Sequence, residues 1–304
     1  IYAEGTHSEI FGRNLTLKRR VKNHAPIGFQ GFAMNMRRAP FNKLEVRQAM
    51  AKLVDRETMN RTMMNGAYFL LSSYWQDLYD SKHPCTNTVW KYDVKGAKEL
   101  LRKAGYANGF SFTFLSRSST EDKFLSLFSH ALAECGVKME IVRKDFAAWM
   151  RDMDDFNFDM TWAAWGAGRV KYPELSWSSR EAARKGSNNI TGFGDPVVDK
   201  LIDDEKKMSS MDERTEAYRQ MDARIAAAVP YVLLWQTDST RLLYWNKFGT
   251  PPAVLSRLGR EEAALSYWWY DMDKAEELFS AISTGGCLPN VPEIVDFDNA
   301  NEGR

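Results

Sequence analysis

Apolar residues recur along the chain with two periods, and the alternation between them predicts most of the elements. Val46, Met50, Leu53 and Val54 fall at i, i+4, i+7 and i+8, one face of a helix, while Arg47, Gln48 and Lys52 fall outside it. Asn42, with Glu45 three residues on, reads as a capping box that starts this helix. Asp55 reads as the cap of a second, short helix through Met59, Met63 and Met64, closed at Asn65-Gly66, where glycine takes the left-handed conformation. Phe29 to Asn35 is the first convincing strand, and Phe110, Phe112 and Phe114 alternate with small polar residues as a half-buried strand does. Asp93 caps Val94 to Ala104, which ends at Gly105; a helix from about Thr120 to Glu134 ends at Gly136, and Val137 to Val142 follows as a strand. Asp145 caps a helix through Phe146 and Trp149, and Phe158 to Ala164 is a strand running into a glycine-containing loop. Asp195-Pro196, an Asx cap with proline at the first helical position, opens a helix through Val198, Leu201 and Ile202. Strands alternating with capped helices predict α/β layers built on a mixed sheet.

Three stretches lack a period. Residues 1–27, including FGRNLTLKRRVKNHAP, are polar and irregular and read as an approach segment. The loop from Tyr68 to Tyr92 carries Tyr74, Trp75, Tyr79 and Trp90; these rings read as anchors packing the loop to its own lobe, with the alternative that one of them lines a ligand cleft. From Ser283 onward the chain is polar and punctuated by glycine and proline, a peripheral tail.

At 304 residues with 44% hydrophobic residues the chain can bury a sizeable core and divides, at about 150 residues per domain, into roughly two units. Its 41 basic and 40 acidic residues give a net charge of +1, which offers no long-range field for nucleic acid or an anionic membrane surface. No run approaches the ~18 apolar residues of a membrane-spanning helix, and the opening IYAEGTHSEI is not a signal peptide, so the start reads as a cut. Cys85, Cys135 and Cys287 are far apart and allow one disulfide at most, with Cys135 read as a small buried hydrophobe.

The common chemical constellations are missing. His7, His24, His83 and His130 share no ligand spacing, and Asp152, Asp154 and Asp155 lack the glycine and distal glutamate of a calcium loop and read as a solvated turn. Neither Gly166-Ala167-Gly168-Arg169 nor Gly192-Phe193-Gly194 completes a dinucleotide fingerprint, and GxSxG, HExxH and the P-loop are missing. No cofactor, no metal site and no catalysis are expected. On this ground a binding protein and an interaction scaffold stay open, and a hydrolytic enzyme is disfavoured.

The wording of the chain narrows this. Phe41, Val46-Arg47-Gln48-Ala49 and Asp55-Arg56 resemble the "F…VRQA…DR" signature of the family 5 extracellular solute-binding proteins, which serve ABC transporters for peptides, nickel and related solutes. Phe29 to Arg38, FQGFAMNMRR, resembles the YejA-like oligopeptide-binding branch. YDVKGAKELLRKAGY resembles the family's recurrent YDPEKAKELLAEAGY helix, with Val94 in place of proline, and Cys135 to Ile141 resembles its "lGIkvei". Asn188 to Ile202, the helix from Met211 to Ala228 and the strand from Val229 to Leu234 continue the likeness, which extends over about residues 28–272.

That resemblance implies a type II periplasmic-binding-protein fold. Residues 28–236 would form the carboxyl lobe, a mixed sheet flanked by helices; 1–27 would be an approach or hinge segment, 237–282 a return toward a first lobe, and 283–304 a peripheral tail. It implies binding of an oligopeptide or related small solute in an interlobe cleft by a periplasmic or extracytoplasmic monomer that serves a membrane permease. The family's cleft-lining stretch corresponds to Thr161 to Gly168, which makes Trp162, Trp165, Gly166 and Gly168 the candidate ligand-binding residues. Many peptide-binding relatives carry W-x-x-D here, with the aspartate on the peptide's α-amino group; counted from Trp162, the fourth position is Trp165. Arg47, at a helix start away from this stretch, is expected to be structural.

Overall fold

The computed structural model describes residues 9–301. His7, the signal-peptide reading of the first residues and the last three positions of the tail lie outside the described residues. The chain forms two compact units: Ile27–Gln236, and a smaller one made of the described residues up to Pro26 together with those from Thr237. After a one-turn helix, Glu9–Gly12, the first strand is β1 (Thr16–Lys22) in the smaller unit. The larger unit follows with β2 (Phe29–Met34), α1 (Leu44–Leu53), α2 (Arg56–Met63), α3 (Val94–Lys103), β3 (Ser111–Ser116), α4 (Asp122–Glu134), β4 (Lys138–Arg143), α5 (Phe146–Asp154), β5 (Met160–Trp165), α6 (Pro196–Glu205), α7 (Met211–Ala228) and β6 (Tyr231–Leu233). Back in the smaller unit come β7 (Thr240–Trp245), α8 (Met272–Thr284) and β8 (Ile294–Asp296), with shorter elements between.

The larger unit is built on one mixed sheet of order β4-β3-β5-β2-β6. β4, β3 and β5 run parallel, and β2 lies antiparallel between β5 and β6, pairing Phe32 with Trp162 and Phe29 with Trp165. Side chains alternate across a strand, so the sheet sorts its residues by parity. Phe32, Met34, Phe114 and Met160 face one core with Val46, Met50, Leu53 and Phe128, while Phe29, Ala33 and Ala163 face the other with Trp149, Tyr218 and Met221. The helical face read from Val46, Met50, Leu53 and Val54 is buried, each side chain contributing about 1.5–3 kcal/mol by leaving water.

Four predicted caps form. Asp55, Asp93 and Asp145 accept the backbone N–H of Thr58, Gly96 and Ala148 at 3.0, 2.8 and 2.9 Å, and Asp195 accepts those of Val197 and Val198 at 2.8 and 3.2 Å. The Asn42 capping box does not. α1 starts at Leu44 with Lys43 in the cap position and no side-chain cap bond. The turn before it closes on itself instead: Asn42 N–H donates to Arg38 O at 3.0 Å, Arg47 reaches back to Phe41 O at 2.8 Å, and the Asn42 side chain is left exposed.

The smaller unit also departs from expectation. Residues 16–22, expected to be irregular, form β1, the central strand of a sheet of order β8-β1-β7. Of TLKRRVK only Leu17 and Val21 turn inward, at 7% and 0% exposure, so its apolar signal is too sparse to read without its partners. The tail, read as peripheral, is largely exposed, and it also supplies the parallel edge strand β8, while Leu288 packs with Leu15, Leu278 and Ala281.

Candidate ligand cleft

In open α/β sheets ligands gather outside the carboxyl ends of the strands. Here β3, β4 and β5 end at one sheet edge, where antiparallel β2 begins. Gly28, just before β2, passes so close to β5 that a Cβ there would sit 2.1 Å from the Trp165 carbonyl oxygen. Only glycine permits that approach.

The predicted site residues lie at this edge but not in one wall. Trp162 and Trp165 differ in parity and so emerge on opposite faces of the sheet. Trp162 donates its indole N–H to Gln30 Oε1 at 3.0 Å and packs edge-on against Phe124 and Trp235, with ring centroids 5.4 and 6.0 Å away. It walls a cleft of about 330 Å³ that also takes in Tyr68, Arg117 and Glu121. Trp165 donates its indole N–H to the Tyr231 hydroxyl at 3.1 Å and borders a second cleft, of about 210 Å³, with Gly166 and Gly168.

The loop after β5 is both open and pinned. A Cβ built on Gly166 would meet nothing within 4 Å, so its backbone can be approached closely. Lys171, its side chain only 2% exposed, fixes the far end: Nζ donates to Asp77 Oδ1 and Oδ2 at 2.9 and 2.6 Å and to Gly168 O at 2.9 Å. Asp77 lies in the aromatic loop, whose Tyr74 and Trp75 are buried anchors that also border the second cleft. That loop is tied down by Asp222 of α7, which accepts from Tyr74 N–H at 2.9 Å, Tyr79 O–H at 2.9 Å and Asn87 Nδ2 at 2.6 Å. Burial pushes the Asp222 carboxyl up, and these donors pull it back.

Sequence reasoning missed the charged side of the first cleft. Arg117 follows β3 and its guanidinium makes no hydrogen bond among the described residues: it lies 4.9 Å over the Trp149 ring, with Nε 3.9 Å from Glu121 Oε1. Glu121, buried at 7% exposure, accepts from Ser116 Oγ at 2.7 Å, and desolvation raises its carboxyl against the pull of Ser116 and Arg117. Lys123 is a second cation in the lining. FLSRSSTED holds no motif that would single these residues out; their signal is their position at a strand's carboxyl end.

The signature arginines sit elsewhere and do other work. Arg47 donates to Ala228 O and Phe41 O, both at 2.8 Å, and Arg56 to Leu71 O and Leu233 O at 2.8 and 2.7 Å. Burial pulls both pKa values down to about 10, which leaves the groups charged at neutral pH. The acids of the 152–155 turn are engaged as well: Asp152 pairs with Lys144, and Asp155 meets Lys185 at 2.8 Å. Among the described residues no His, Cys, Asp or Glu cluster is placed to hold a metal ion.

With an α/β lobe and a cleft at its strand ends in place, comparison with known proteins is direct. The model of the bacterial extracellular solute-binding proteins, family 5 Middle, matches residues 2–187. The chain belongs to that family. Escherichia coli YejA is 25% identical over 324 residues, covering 90% of this chain and 52% of its own, which agrees with the YejA-like likeness read from the sequence. DppA from Helicobacter pylori, solved with the peptide STSA, superposes with a TM-score of 0.73 at 19% identity, over 88% of this chain and 51% of its own. AppA from Bacillus subtilis, solved with a nonapeptide, gives 0.72 at 18% identity, over 84% and 53%. These two share the fold, and the chain spans about half the length of the curated relatives it matches.

Proposed function

We propose that this chain is the solute-holding part of the binding component of an ABC importer, with oligopeptides or related solutes as ligands. One observation carries the reading: Arg117 leaves its donor fork unspent in an aromatic-walled cleft at the carboxyl ends of the sheet. A peptide offers a carboxylate for that fork and backbone amides for the open Gly166 to Gly168 loop, in the manner of an added strand. Its side chains would occupy the Trp162 cleft on one face and the Trp165 cleft on the other, with water filling what they leave. Peptides in the DppA and AppA structures support this class of ligand.

In this reading residues 27–236 supply one wall, and the ligand stabilises closure against a second lobe by hinge motion. The protein works as an extracytoplasmic monomer that delivers its ligand to a permease and performs no chemistry on it. With Trp165 in place of the aspartate of peptide-binding relatives, the solute's amine is not gripped at that position, because an ammonium buried without a carboxylate is costly. N-acetylated peptides should therefore bind about as well as free ones, and a large loss on acetylation would overturn the point.

Native mass spectrometry of the protein purified from its host tests the function itself. A ladder of copurified peptide masses is expected. A single non-peptide mass would replace the peptide assignment, and turnover of peptides or esters that a single substitution abolishes would replace the binding reading with an enzymatic one.

A further inference from the structure

Among the described residues nothing accepts a hydrogen bond from the guanidinium of Arg117, whose side chain is 39% exposed, yet the group lies over an aromatic ring. Its Cζ lies 4.9 Å from the centroid of the Trp149 ring, over its face, and Glu121 Oε1 is 3.9 Å from Nε, close enough for an ion pair but too far for a hydrogen bond. Trp149 is itself immobile, at 5% exposure: its indole N–H donates to Thr161 Oγ1 at 3.0 Å, and Thr161 donates in turn to Leu115 O at 2.7 Å. The platform under the arginine is thus fixed by β5 and β3, two strands that end at the cleft. Phe146 stacks on the same indole, centroids 5.7 Å apart and 28° between planes. A guanidinium resting on an aromatic face keeps its N–H donors in its own plane, free to meet an acceptor at the edge, and the ordering cost of that geometry is met before the ligand arrives.

We propose that Trp149 is a positioning residue, the platform that presents the donor edge of Arg117 to a carboxylate of the solute. The inference rests on the reading that Arg117 meets the ligand's anionic group. Lys123 adds charge to the same cleft without a plane to orient, and Glu121 offsets part of it, so selectivity for a planar carboxylate falls to the stacked arginine. A lysine at position 117 would keep the charge and lose the orientation.

The test follows the side-chain Nε–H resonance of Arg117 and the backbone amides around it in the ¹⁵N-labelled chain, titrated with N-acetylglycine and with N-acetylglycinamide. The acid should give saturable shifts at Arg117 and the amide none. If the acid gives none, the anion reading at Arg117 fails and takes this inference with it. Where the acid does bind, Trp149→Met should weaken it at least fivefold, while Trp149→Phe, which keeps an aromatic face, should stay within twofold of wild type. Wild-type affinity in a folded Trp149→Met protein would overturn the platform alone and leave the anion reading standing. If Trp149→Met does not fold, Arg117→Lys decides: a loss of at least fivefold is expected, and unchanged binding of the acid, read from backbone amides, would sink the proposal.

Discussion

The charged side chains of the larger unit part by how their hydrogen-bonding capacity is used, from buried Arg47, Arg56 and Asp222 to exposed Arg117. Arg37, Arg47 and Arg56 spend theirs on main-chain carbonyls: Arg37 alone reaches Ile190 O and Asn189 O at 2.8 and 2.7 Å while lying over the Phe156 ring. Asp222 is the anionic counterpart, filled by donors from the aromatic loop. Arg117 differs, resting on a ring beside a carboxylate with its donors unspent. A group whose partners are all internal belongs to the architecture, because removing it orphans buried atoms. A group exposed at a cleft is hydrated and can exchange that water for a ligand. The family signature "VRQA…DR" therefore marks how the lobe is built, and its arginines say little about the ligand.

Substitutions should separate the two kinds, the most costly first. Arg56→Met strips the donors from Leu71 O and Leu233 O at a site 7% exposed, and about 3 kcal/mol or more should be lost in urea unfolding of the chain. A variant that unfolds like wild type would break the comparison. Asp222→Ala leaves the Tyr74 N–H, the Tyr79 hydroxyl and Asn87 without an acceptor, and about 2–3 kcal/mol should go by the same measurement. Protease cutting between Ser72 and Asn87 should rise with it, since that carboxylate ties the loop to α7.

Asp195 gives a smaller effect with a pH signature. Desolvation opposes its charged form, but Arg224 and the N–H groups of Val197 and Val198 outweigh that and hold its carboxyl below the ordinary 3.8. A depressed folded value means the native state binds a proton less readily than the unfolded chain. The stabilisation is thus present above 3.8 and lost as pH falls through the folded value. Asp195→Ala should cost about 1 kcal/mol at pH 7, and the gap to wild type in thermal melts should close in strong acid. A gap unchanged in strong acid would contradict the cap. Arg117→Ala should come last, within about 0.5 kcal/mol of wild type in stability, while abolishing the shifts caused by N-acetylglycine. A large stability loss there would place Arg117 with the structural arginines.

Legibility followed the same division. Aspartate caps were readable because each bonds to a backbone N–H two or three residues on, a contact that sequence distance alone specifies. Asn42 shows the limit: the same local code was present, but the turn closed through Arg38 and Arg47 and left the side chain in water. β1 and β8 were missed because strands gain their hydrogen bonds from partners far along the chain, as the Arg20 N–H does from Glu293 O at 2.7 Å. The candidate site was half legible. Trp162, Trp165, Gly166 and Gly168 were named as candidates by family likeness, but their division between two faces and the placing of Arg117 in the same cleft as Trp162 were not legible.

By itself the sequence determined the larger unit's helices and strands, their order and the family, since these rest on period, caps and local wording carried by neighbouring residues. Tertiary structure decided which polar groups are spent. Arg47, Arg56 and Arg117 are alike as letters, and each has hydrophobic neighbours within a few positions. What separates them is whether carbonyls from distant segments, such as Ala228 and Leu233, come within hydrogen-bonding distance of the guanidinium. For Arg117 none does among the described residues: the fold brings it a tryptophan face 32 residues away and an open cleft.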